Sequence, residues 1–157
     1  MTEIPEGLEA RVQWLVDREA IRELTAAYTR CVDEGDFAAW AELFTEDGVY
    51  ITPERRVPKA ELAAFGAEIL KDYSICQHLL GQHAITIDGD TARGRIYYAG
   101  FHVLRGGDPG RHADIGGWYF HSYRRTPQGW RFAKVGGRLV WASGERFPYL
   151  DMIGPKD

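Results

Sequence analysis

The chain has 157 residues, a formal net charge of −4, 45% hydrophobic and 27% charged residues. This is the balance of a soluble globular chain, long enough for one domain, 1–157, with a sizeable core. The acidic total and the scattered Arg residues exclude a general phosphate-binding surface, and no apolar run is long enough to span a bilayer, so neither nucleic acid nor membrane is expected as a partner.

The N-terminus, MTEIPEGLEARVQW, lacks a basic region followed by an apolar run, so no signal peptide is read. Leu8, Val12, Leu15 and Val16 recur at helical spacing. Asp17 then suits the N-cap of a longer helix, whose stripe is Ile21, Leu24, Ala27 or Tyr28, Cys31 and Val32. Gly35 ends that helix, and Asp36 caps a short one from Phe37 to Phe44. Asp47-Gly48 marks a turn into extended structure from Val49 to Thr52. After the loop PERRVP, Pro58 opens a third helix, roughly Lys59 to Lys71.

From Ser74 the texture becomes β-rich. Four runs are expected, about 76–87, 92–104, 114–125 and 130–141. Asp88-Gly89-Asp90, Gly106-Gly107-Asp108-Pro109-Gly110 and Thr126-Pro127-Gln128-Gly129 separate them, which implies an antiparallel meander. Gly136-Gly137 marks a bulge or bend, and the tail from Ala142 to Asp157 receives no regular structure. Helices first and a bent antiparallel sheet afterwards give an α+β fold whose concave interior suits a small molecule. Cys31 and Cys76 cannot form a disulfide framework; they read as buried thiols of a reducing compartment, and a cytoplasmic location is expected.

The chemistry concentrates around Ala26–Tyr50. This stretch places a phenol, Tyr28, and a carboxylate, Asp33, near a helix C-terminus, where the helix dipole disfavours an anion. Either the helix ends in solvent at Asp33-Glu34-Gly35, or Asp33 has a partner elsewhere, for which His78 is the candidate. Strand alternation puts His78 and Leu80 on one face and Leu79 and His83 on the other, so both histidines point inward only across a bulge. A lone strand histidine is more often a packing residue than a catalyst, and the same holds for His102. His112 falls in a loop, and His121 reads as structural. No His or Cys pair has chelate spacing, so no metal is expected. The glycines at 94, 100, 106 and 107 lack the strand–turn–helix context of a dinucleotide site, and Ser143 lacks the flanking glycines of a nucleophile elbow.

The run Tyr28-x4-Asp33, then Asp36-Phe37…Trp40…Leu43-Phe44-x-x-Asp47, resembles the SnoaL-like group of the nuclear-transport-factor-2-like superfamily. Gln77-His78-Leu79-Leu80-Gly81, Ile87-Asp88-Gly89-Asp90-Thr91-Ala92 and Gly129-Trp130-Arg131-Phe132 fit the same pattern, so the resemblance covers about residues 8–146. It implies a cone of curved sheet capped by helices. It is similar in look to scytalone dehydratase, bile-acid 7α-dehydratase and the hexachlorocyclohexane dehydrochlorinase, lyases that need no cofactor and use an Asp–His pair. Asp33 and His78 fall where that pair stands, Tyr28 is similar to the bile-acid enzyme's tyrosine, and His102 resembles a second pocket histidine. Val32 departs from the tyrosine that precedes the aspartate in scytalone dehydratase, and Tyr50 is only near the position of its other tyrosine, which argues against scytalone as substrate.

The resemblance implies a dehydratase of a hydrophobic cyclic or polycyclic hydroxy-ketone. His78 takes the α-proton, Asp33 stabilises the imidazolium, and Tyr28 or His102 polarises the carbonyl. Trp40, Tyr50, Tyr98, Phe101, Trp118, Phe120 and Trp141 are expected as pocket walls, with Tyr97 and Tyr98 facing opposite ways. Two rivals are an enone isomerase with the same base and a noncatalytic assembly subunit similar to the β-subunits of ring-hydroxylating dioxygenases. A homodimer or homotrimer follows from the resemblance.

Overall fold

The computed structural model describes residues 4–106, 108 and 110–145. Gly107 and Pro109 of the expected loop, and the expected irregular tail beyond Glu145, lie outside the described residues. Among the described residues, three helices, α1 (Leu8–Glu34), α2 (Phe37–Glu42) and α3 (Lys59–Ile69), accompany six strands: β1 (Phe44–Ile51), β2 (Arg56–Pro58), β3 (Tyr73–Asp88), β4 (Thr91–Leu104), β5 (Ala113–Thr126) and β6 (Gly129–Gly144). They form one curved sheet in the order β2-β1-β6-β5-β4-β3. The β3–β6 meander is antiparallel as expected, but β1 joins it by a parallel pairing with β6, and part of the expected PERRVP loop forms the short edge strand β2. No described helix is long and apolar enough to cross a membrane.

The N-terminal region is one 27-residue helix, not two. Asp17 does not cap it. Its buried carboxylate accepts two hydrogen bonds from Arg125, at 2.7 and 2.8 Å, and one from Trp130 Nε1 at 3.0 Å. This pins the helix to strands more than 100 residues away. Leu8, Val12, Leu15 and Val16, read as an apolar face, are all exposed. The helix ends as its glycine dictates. Gly35 takes a left-handed conformation (φ 74°), and the next amide, Asp36 N, donates back to Cys31 O at 2.8 Å. The Asp36 side chain then accepts from Ala39 N and starts α2.

Two buried clusters meet between helices and sheet. One joins Ile21, Leu24, Tyr28, Trp40, Phe44 and Phe132. The other joins Tyr73, Ile96, Tyr98, Ile115, Tyr119 and Leu139. A register shift in β3 between Leu80 and His83 changes the facing parity, so His78, Leu80 and His83 all turn inward. His83 Nε2 meets the Tyr123 hydroxyl at 3.2 Å, and that hydroxyl also contacts His121 Nδ1 at 2.9 Å and Thr25 at 3.1 Å.

Candidate active site

A cavity opens between the two clusters. Helix α1 contributes Tyr28 and Val32, α2 contributes Phe37 and Trp40, and α3 contributes Phe65 and Ile69. Tyr50 comes from β1, and the sheet supplies His78, Tyr98, His102, Ile115, Tyr119 and Leu139. Among the described residues, none that lines the cavity is Lys, Arg, Asp or Glu.

Asp33 holds His78 at two points. Its Oδ1 lies 2.6 Å from His78 Nδ1, and its Oδ2 accepts the His78 backbone N–H at 2.9 Å. The His78 side chain is 7% exposed and that of Asp33 23%. Asp33 stands behind the cavity wall, in a groove shared with Lys71, Cys76 and Arg105. The carboxylate therefore takes the Nδ1 proton as its hydrogen bond, and Nε2 of the neutral ring keeps its lone pair. The same ring packs over Gly100. A Cβ there would lie 3.1 Å from His78 Cδ2 and Nε2 and 2.9 Å from His102 Cε1. Gly100 was not singled out for this role by sequence, although it pairs directly with His78 across the strands.

His102 also lines the cavity, with its ring centroid 5.3 Å from that of His78. Its Nδ1 lies 2.9 Å from the Ala113 carbonyl, which can only accept, so that nitrogen carries the proton. Burial, then the neighbouring His78, pushes the His102 pKa down to about 4. The neutral ring presents Nε2 as an acceptor. It therefore does not suit the expected role of polarising a carbonyl, which needs a donor.

Tyr28 is buried and packed edge-on against Trp40, Tyr119 and Phe132. Its phenol is held well above the ordinary range, first by burial and then by Tyr50 and Tyr98. Tyr98 and Tyr119 stack at 4.0 Å, and both phenols are also raised chiefly by burial. Four phenols, Tyr28, Tyr50, Tyr98 and Tyr119, thus line the cavity with His78. Tyr119 was missed by sequence reading, because nothing in its strand showed which face turned inward.

Of the expected aromatic walls, Trp40, Tyr50 and Tyr98 line the cavity. Phe101, Trp118, Phe120 and Trp141 do not. They belong to the opposite face of the sheet, with Phe101, Phe120 and Trp141 exposed. Phe101 follows His102 in parity by necessity, since adjacent strand residues face opposite ways. Trp118 and Phe120 give way inside to Tyr119 and His121 for the same reason.

A curved sheet closed by helices over an apolar cavity is the nuclear-transport-factor-2-like architecture. The chain belongs to the SnoaL-like domain family, whose pattern matches residues 13–136. An uncharacterised protein of Mycobacterium tuberculosis is 30% identical over 124 residues, which cover 75% of this chain and 82% of that one. A candidate aromatic ring hydroxylase of Novosphingobium aromaticivorans superposes with a TM-score of 0.75 at 31% identity, over 89% of this chain and 98% of its own. A candidate scytalone dehydratase of the same organism gives 0.79 at 18% identity over 91% and 97%. A hexachlorocyclohexane dehydrochlorinase of Novosphingobium barchaimii gives 0.74 at 18% identity over 84% and 92%. At that identity the last two are similar in fold alone.

Proposed function

We propose that the chain is an acid–base lyase, a dehydratase of an uncharged cyclic hydroxy-ketone. The observation that carries this reading is the Asp33–His78 contact, which fixes one tautomer and leaves an imidazole nitrogen beside an apolar cavity. The dehydratase and dehydrochlorinase among the fold neighbours agree with it. His78 Nε2 removes the proton α to the carbonyl, and Asp33 stabilises the imidazolium that forms. Tyr28 donates to the carbonyl oxygen as enolate charge develops. The enolate electrons form the carbon–carbon double bond as the β carbon–oxygen bond breaks. The imidazolium returns its proton to the departing hydroxide, releasing water and restoring neutral His78. The lack of formal charge on the described lining side chains favours a neutral substrate, because an anion would be desolvated without a permanent cation to meet it.

Enone isomerisation through a dienolate is the second reading. It is favoured by one observation: the His102 proton is committed to Ala113, so among the described lining residues phenols are the remaining acids, apart from His78 itself, that could serve a leaving group. Incubating the protein with β-hydroxy bicyclic ketones and with β,γ-enones separates the two by product mass. Loss of one water from the hydroxy-ketone supports the dehydratase. Conversion of the β,γ-enone without mass change, and no water loss from any hydroxy-ketone, overturns it in favour of the isomerase.

A further inference from the structure

Trp40 carries a donor that the fold leaves unused. It stands on α2, is 2% exposed and lines the cavity from the helical side. Three rings enclose it edge-on, with centroids at 5.7 Å for Tyr28, 5.7 Å for Phe44 and 5.8 Å for Tyr50. Its indole Nε1–H, shut off from solvent, makes no hydrogen bond to any described residue. A buried donor without an acceptor is costly and rare, so it calls for a reason.

The other indoles differ. Trp130, also buried, donates its N–H to Asp17 at 3.0 Å. Trp14 and Trp118 lack an acceptor among the described residues, but both are half-buried, lie away from the cavity and carry an arginine over the ring, Arg18 and Arg95 respectively, each at 4.6 Å. Of the unmatched buried polar atoms among the described residues, only Trp40 Nε1 belongs to a side chain of the cavity wall.

We propose that Trp40 is a positioning residue of the enolate step, whose indole N–H meets the Tyr28 hydroxyl oxygen as that hydroxyl donates to the substrate. This rests on the role given to Tyr28 under the proposed function. The two rings are in edge contact, and a phenol oxygen can accept while its proton is donated elsewhere. The indole also acts on the phenol in the required sense. Burial, Tyr50 and Tyr98 raise the Tyr28 pKa, and Trp40 pulls it the other way. In the resting protein the phenol is neutral and attracts the N–H weakly. As its proton leans towards the carbonyl oxygen, negative charge grows on the Tyr28 oxygen and the attraction strengthens. The interaction therefore favours the transition state over the bound ground state. The indole keeps its own proton throughout.

A double-mutant cycle separates this role from packing. Trp40 is replaced by benzothienylalanine, which keeps the indole shape and puts sulfur where the N–H was, in the wild type and in Tyr28→Phe. In the wild-type background kcat on the hydroxy-ketone is expected to fall about tenfold with KM unchanged, and in Tyr28→Phe no further fall is expected. Equal losses in both backgrounds make Trp40 a packing residue and overturn the proposal.

A second measurement needs no turnover and so stands apart from the lyase reading. Proton–nitrogen-15 NMR follows the Trp40 indole as β-naphthol, a planar enol with no water to lose, is added. The Trp40 N–H proton is expected to move downfield in the wild type and to stay in place in Tyr28→Phe. No movement in the wild type, or the same movement in both proteins, overturns the proposal whether or not any ketone is dehydrated. Should the benzothienylalanine variant not fold, this measurement decides alone.

Discussion

Asp33 grips both the imidazole and the backbone amide of His78, across 45 positions of sequence. One carboxylate thereby sets the tautomer of the ring and anchors the strand that carries it. Asn in place of Asp33 keeps the shape but adds an NH₂ donor facing Nδ1, which favours the tautomer with its proton on Nε2, the wrong place for a base. Asp33→Asn is therefore expected to lower kcat by about 10²–10⁴-fold with the fold retained. Nitrogen-15 NMR of the histidine ring checks the cause, with the Nδ1–H form expected in the wild type and its loss in the variant.

Gly100→Ala places a methyl against two rings that are each tied down, His78 by Asp33 and His102 by Ala113. Neither ring moves without losing its hydrogen bond. The variant is expected to lose most of its turnover and about 1–3 kcal/mol of stability, as overpacked sites do. Steady-state kinetics and urea denaturation measure both, and full turnover would contradict the packing of His78 over Gly100.

Tyr28→Phe removes the phenol proposed to meet the developing enolate and keeps the ring packing. A fall in kcat of about 10²-fold with little change in KM is expected, as for loss of one oxyanion donor. A change in KM alone would assign Tyr28 to substrate binding rather than to the transition state.

Two buried histidines, His102 and His121, and the half-buried His83 make acid costly. Burial holds His83 and His102 down to about 4 and His121 down to about 3. The unfolded chain binds protons on them below about pH 6.5, while the folded chain stays neutral until far lower. Their contribution to stability is thus complete above about 6.5 and falls as pH drops towards 4. The combined slope reaches on the order of 4 kcal/mol per pH unit. Urea midpoints at pH 7.5, 6 and 5 are expected to decline steeply, and a flat profile would contradict the burial of these rings.

Asp17 acts in the same direction but in a lower pH window. Arg125, foremost, holds its carboxyl below the ordinary value of 3.8, so its contribution is present above that value and lost as pH falls through the lower folded one. Asp17→Asn is expected to cost about 3 kcal/mol at pH 7, towards the lower end for a broken buried pair, because Arg125 is partly exposed and keeps Asp90. The gap between wild type and variant is expected to close below about pH 3.8, a crossing that thermal melts can follow.

The parts of this molecule that sequence made legible are those with local causes. Gly35 ending α1, Asp36 capping α2 and the turns of the meander each follow from the residue at that position. The Asp33–His78 contact was legible only because a carboxylate stood where a helix dipole repels it and a family pattern supplied the distant partner. Asp17 misled for a related reason: as a local signal it reads as a cap, while its ligands, Arg125 and Trp130, lie more than 100 residues on. The four misplaced aromatic residues expose the weak point of strand reading. Alternation states that neighbours face opposite ways but not which is inside, and a one-residue error exchanges Tyr119 for Trp118 or Phe120. For Phe101 the information was present, since His102 inside requires Phe101 outside. The bulge between Leu80 and His83 and the parallel β1–β6 pairing arise from contacts that no local pattern encodes.

The most direct test of the central claim is the turnover of His78→Ala on the hydroxy-ketone that the wild type dehydrates fastest, with near-UV circular dichroism to establish the fold. A loss of about 10²–10⁴-fold in kcat is expected for removal of the base. Wild-type turnover in a folded His78→Ala protein would contradict the assignment of His78 as the base and, with it, the catalytic role given to Asp33.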